Sequence, residues 1–96
     1  MNLQDLLSCN DIRLNKNDEV LVTVDNVKLI FTFSINFSLI TEIILKCKNY
    51  KSNCRIIIDT RTEKVIAIET QGFKEEKIKK VISECFREKG ILYKQI

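Results

Sequence analysis

The residues of this chain whose types could do chemistry are four cysteines, two acid–threonine pairs and one run of cationic side chains. Histidine is absent. Ser–His and Cys–His nucleophiles are therefore excluded, and acid–base catalysis near neutral pH loses its usual group. Cys9, Cys47, Cys54 and Cys85 include no CxxC pair, the tight spacing from which a tetrahedral zinc site is normally built. No metal site and no cofactor is expected. Any disulfide is expected between Cys47 and Cys54, which would sit at the end of one helix and the start of the next strand. The competing reading makes the cysteines buried free thiols that pack as small apolar side chains.

Asp59-Thr60 and Glu69-Thr70 each pair an acid with a threonine. Paired carboxylates can hold Mg²⁺ or divide acid and base roles. Here they fall at different levels of one expected hairpin, so a joint site would have to be shared between subunits. Gly72 and Gly90 are isolated, and no phosphate-cradling loop exists. No small-molecule substrate is evident.

Lys46, Lys48, Lys51 and Arg55 lie within ten residues that contain no acid, with Tyr50 among them. Cations contact phosphates and a tyrosine can stack on a base. Lys77 and Lys80 would extend that surface if the helices lay side by side. The chain is rich in Ile, Lys and Asn and poor in Ala, Gly and Pro, as a low-GC genome would produce. Lysine supplied by codon bias and lining a solvated helix end explains the same run. A pI near 8.7 falls short of a dedicated nucleic-acid binder.

The elements that would position these groups follow from periodicity. With 45% hydrophobic and 30% charged residues, the 96-residue chain has an ordinary globular composition and is expected to form one domain over 1–96. Residues 2–9 are expected to form a short helix. Glu19–Val24 and Val27–Phe37 are β-branched and aromatic, and Asp25-Asn26 suits a two-residue turn. That turn predicts Val24 opposite Val27, Val22 opposite Leu29 and Val20 opposite Phe31. The second strand outlasts the first, so its far end must pair elsewhere, bend or meet a partner. Residues 38–50 carry Leu39, Ile40, Ile43, Ile44 and Cys47 at helical spacing behind Ser38, which predicts a helix. Cys54–Asp59 and Lys64–Thr70 predict a second hairpin, with Ile57 opposite Ile66 and Glu69 opposite Cys54. Lys74–Lys89 predicts a final helix through Ile78, Val81, Ile82, Cys85 and Phe86, and 91–96 a last short strand.

The expected fold is α+β: two ββα units in one mostly antiparallel sheet, both main helices on one face, plus the short N-terminal helix. The opposite face would then expose Leu21, Ile30, Ile57, Ile66 and Ile68, an apolar surface suited to a homodimer or another protein partner. An unpaired edge at Phe33–Phe37 offers a second route, by strand addition. No stretch approaches the roughly 20 apolar residues that span a bilayer, and no signal peptide is read, so no membrane contact and a cytoplasmic location are expected.

The function expected is that of a small, non-enzymatic binding protein: a subunit, regulator or inhibitor that acts by protein–protein contact and self-associates. The alternative is a nucleic-acid binder using Lys46, Lys48, Tyr50, Lys51, Arg55, Lys77 and Lys80. The third reading is a small enzyme with a carboxylate site shared between subunits.

Overall fold

The computed structural model describes residues 7–89. Its elements are β1 (Ile12–Leu14), β2 (Val20–Val24), β3 (Val27–Asn36), β4 (Ile40–Cys47), β5 (Ser52–Asp59), β6 (Lys64–Gly72) and α1 (Glu75–Glu88). The six strands form one antiparallel sheet in which each strand pairs with its neighbours in sequence. The fold is a small α+β fold, with one helix among the described residues. The expected final strand lies outside the described residues, as does the expected N-terminal helix except for its last positions, where Leu7 is buried in the core.

The first hairpin has the register its turn dictates. Asp25 and Asn26 adopt φ of 50° and 64°, the left-handed conformations a two-residue loop needs. Val24 then opposes Val27, Val22 opposes Leu29 and Val20 opposes Phe31, and five of these six are buried. The match ends at Phe31. From Phe31 to Asn36, β3 pairs instead with β4 on its other side. The long strand thus serves two partners in succession.

Residues 40–47 are a strand and not a helix. Ile40, Ile43, Ile44 and Cys47 fit a 3.6-residue period, but Thr41, Ile43, Leu45 and Cys47 fit a period of two equally well. The sheet uses the second: Thr41, Ile43 and Leu45 are buried and Lys46 is exposed. The segment's β-branched residues favour the pleated surface. Ser38 does not cap a helix; its hydroxyl accepts from Ile40 N and donates to Ile40 O, closing a local turn. Two ββα units therefore do not form.

In the second hairpin Ile58 opposes Val65, but the register then slips, placing Ile57 opposite Ala67 rather than Ile66, and Ile56 opposite Ile68. Ile66 is the extra residue of a bulge. Glu69 consequently faces Arg55 rather than Cys54.

The helix α1 covers one face of the sheet with Ile78, Ile82, Cys85 and Phe86. Fourteen residues make about 21 Å of helix, and six strands span about 24 Å. The helix can therefore pack on β6 and still reach β2 and β1. It starts at Lys74, which adopts φ 54° and lacks a side-chain cap. Glu75 and Glu76 supply negative charge to its first turn. A disulfide joins Cys9, ahead of β1, to Cys85 on α1, with Cα atoms 5.8 Å apart.

Candidate functional site

Antiparallel pairing makes successive residues turn their backbone groups to alternate edges. In β3, Ile30 faces the β4 side: its carbonyl accepts from Lys48 N and its N–H donates to Asn49 Oδ1. Thr32, Ser34 and Asn36 follow that direction into the ladder with β4. Phe33 and Ile35 must then turn their N–H and C=O groups to the opposite edge. Among the described residues, β2 has ended by that level and no strand pairs there.

The open edge runs into an apolar tip. Phe37 is 73% exposed, Leu39 70% and Ile40 46%. Thr60 at the neighbouring turn holds the tip's backbone: its hydroxyl donates to Ser38 O at 2.7 Å and its N–H to Leu39 O at 3.2 Å. Thr41 and Thr60 hydroxyls are also 2.7 Å apart. The backbone of the tip is thus held while its large side chains stay bare. From Thr32 to Thr41 no residue is charged and none is proline, although charge and proline are the usual protections of an exposed edge.

The apolar face expected from sequence does not assemble. Ile68 is buried on the helix side, because the bulge at Ile66 reverses the faces beyond it. Leu21 and Ile30 oppose each other across β2 and β3, and Ile57 lies opposite Glu42 and Ala67. The side chains between the two groups on that face include Thr32, Lys46 and Arg55. All four remaining candidates are half-buried and form no single patch.

Two of the four cations in the basic run, Lys48 and Arg55, are paired with carboxylates. Lys48 pairs with Glu19 at 2.5 Å, and that contact, with a second hydrogen bond from Asn15, holds the Glu19 carboxyl below its ordinary pKa. Arg55 lies between Glu42 at 2.9 Å and Glu69 at 3.6 Å on the open face, with its pKa raised chiefly by the Glu42 hydrogen bond. Lys77 and Lys74 share Asp25, whose carboxyl they hold below its ordinary value, Lys77 contributing most. Tyr50 has one ring face already stacked on Phe73, at 4.4 Å and 9°. Lys46 and Lys51 are exposed and make no ion pair among the described residues. Lys80 lines a groove of about 430 Å³ between α1 and the first hairpin, together with Asp11, Asp25, Lys77 and Glu84. The groove mixes both signs of charge and presents no single-sign surface to an anion.

The remaining chemistry-bearing residues disperse. Asp59 accepts from Arg61 N in its own turn while Glu69 faces Arg55, so the two acids do not converge. Cys47 and Cys54 are free thiols and form no disulfide. With β4 a strand, Cys54 opposes Leu45 while Cys47 lies two positions further along and opposes Phe31. Burial pushes the Cys54 thiol up to about 12, which makes it an inert core side chain. No cluster of three potential metal ligands exists among the described residues. No helix among them is long and apolar enough to cross a membrane.

No family model, curated protein or solved structure matches this chain. The local geometry must carry the argument. It brings together Phe33, Ile35, Phe37, Leu39 and Ile40 at one end of the sheet. Sequence reasoning found the edge at Phe33–Phe37 but assigned Leu39 and Ile40 to a helix stripe. The signal for the whole site was the uncharged run from Thr32 to Thr41 in a chain that is 30% charged.

Proposed function

We propose that the protein is a non-enzymatic binding module that acts by protein–protein contact through the open end of β3 and the β3–β4 tip. The observation that carries this reading is the coincidence of a strand edge unpaired among the described residues with Phe37 and Leu39, both at least 70% exposed. Exposed edges template pairing with another chain, and clustered apolar side chains mark contact surfaces. Strand addition uses both, the backbone for affinity and the alternate side chains for selection. The nucleic-acid alternative is weakened by the pairing of Lys48, Arg55 and Lys77 with carboxylates. The Cys9–Cys85 disulfide supports an oxidising compartment in place of the cytoplasmic one first expected, since such bonds are rare in reducing cytosol.

Photo-crosslinking tests the reading. A photoreactive residue at position 37 should yield a discrete product of higher mass in the native source, and the same residue at Asn17, in the exposed β1–β2 turn, should not. Equal labelling from both positions would refute a contact surface at the tip.

A further inference from the structure

Resting on that reading, we infer that the occupant of the open edge is a second copy of this chain, paired antiparallel through β3 about a two-fold axis at Ile35. The edge is complementary to itself. Ile35 turns its N–H and C=O outward, so Ile35 of one copy exchanges both hydrogen bonds with Ile35 of the other. The same alternation brings Phe33 opposite Phe37 of the second copy, and Ser34 opposite its Asn36. A two-fold interface requires each patch to match itself, and this pairing does so without a gap in the ladder.

The side chains agree with the backbone. Phe33, Ile35 and Phe37 share one face, so the pairing places Ile35 against Ile35 and each Phe37 against a Phe33. Aromatic and β-branched cross-strand pairs of this kind are stabilising. Phe37 has little cover from its own chain, and Phe33 is only partly covered. On the other face Thr32, Ser34 and Asn36 are polar and uncharged. Two copies therefore bring no like charges together, whereas like charges directly opposite would repel. A partner chosen by charge would need complementary charges on this edge, and Thr32–Thr41 has none. The two sheets would become one continuous sheet.

Sedimentation equilibrium of the whole chain from about 1 μM to about 1 mM tests the inference across the affinity range of such contacts. The expected result is reversible growth to twice the monomer mass. Phe37→Glu should raise the dimer dissociation constant at least about tenfold, the effect of losing one substantial contact. At concentrations where the chain is monomeric its denaturation midpoint should not move, because the side chain is already in solvent. Ile35→Pro removes the N–H that faces the open edge, a position where a strand tolerates proline, together with an isoleucine side chain that packs against the core. It should weaken the dimer by at least the same factor. A chain that stays monomeric at the highest concentration overturns the inference, as does a dimer indifferent to Phe37→Glu. If the monomer still cross-links through position 37 to a different protein, the contact reading stands and the second copy falls. A monomer with no cross-link overturns both.

Discussion

The two halves of β3 make an instructive pair. Each half is matched to a strand on one side only. Val27–Phe31 lies against β2, and Phe31–Asn36 lies against β4. The vacant side of the first half is sealed by two turn residues, Lys48, whose N–H donates to Ile30 O, and Asn49. Asn49 accepts from Ile30 N at 3.1 Å and donates to Lys28 O at 2.9 Å, supplying the donor and acceptor that a missing strand would have offered. The vacant side of the second half has no such plug among the described residues and ends in bare aromatic and aliphatic side chains. The chain can close an edge with two turn residues, Lys48 and Asn49. Among the described residues the other edge stays open, which fits an external partner better than any difficulty in sealing it.

Several changes should break or sharpen this contrast. The largest effect is expected from the disulfide that ties the segment ahead of β1 to α1. Cys9–Cys85 spans 76 residues of sequence, and cross-links of that span restrict the unfolded chain by about 4 kcal/mol. Cys9→Ser combined with Cys85→Ser should lower the unfolding free energy by about that amount in urea titrations, while the exposure of Phe37 stays the same.

Next comes Gly72. It adopts φ +96°, and a Cβ there would meet the carbonyl oxygen of Lys51 at 2.0 Å. This approach lets Phe73 N donate to Lys51 O and anchors the turn that carries Asn49. Gly72→Ala should cost about 3 kcal/mol by the same titration, combining strained backbone with a backbone clash. Asn49→Ala should cost about 1 kcal/mol, the net contribution typical of intramolecular hydrogen bonds. It should also speed exchange of the Ile30 amide towards the rate expected of the outward-facing Phe33 and Ile35 amides in the monomer. Unchanged protection at Ile30 would remove the contrast on which the comparison rests.

The smallest effect is expected at Asp25. Its carboxyl titrates below the ordinary value because Lys77 and Lys74 favour the charged form. A depressed folded-state pKa adds stability above the unfolded value, near about 3.9, and that stability is lost as pH falls through the folded value. Asp25→Asn should slightly lower stability at neutral pH and flatten the acid limb below about pH 4, as read from unfolding midpoints across pH.

Local chemistry made part of this molecule legible from sequence. Asp25-Asn26 and the alternating valines jointly fix the first hairpin, since a one-residue slip would turn every valine outward. The stripe through Ile78, Ile82, Cys85 and Phe86 fixes α1 to within one residue at each end. Other parts depended on partners distant in sequence. Ile40–Cys47 satisfies two periods at once, and only a free edge on β3 decides between them. The bulge at Ile66 leaves no mark in a run of apolar residues, so the register beyond it was misplaced and Ile68 was put on the wrong face. Cys9 and Cys85 meet only after α1 has crossed the sheet. At the site, the uncharged edge of β3 could be read, but the exposed tip could not, because Leu39 and Ile40 had been assigned to a helix.

The order of strands in space repeats their order along the chain, and this bears on how the sheet is made. Each hairpin closes between neighbours in sequence, so pairing can advance strand by strand with short loops, a route that favours rapid folding. The helix is the exception. It follows all six strands and must swing back to β1 and β2. During synthesis the growing sheet would thus wait with its valine and isoleucine face in water until α1 emerges, and a nascent chain halted just after β6 is the form most exposed to mispairing.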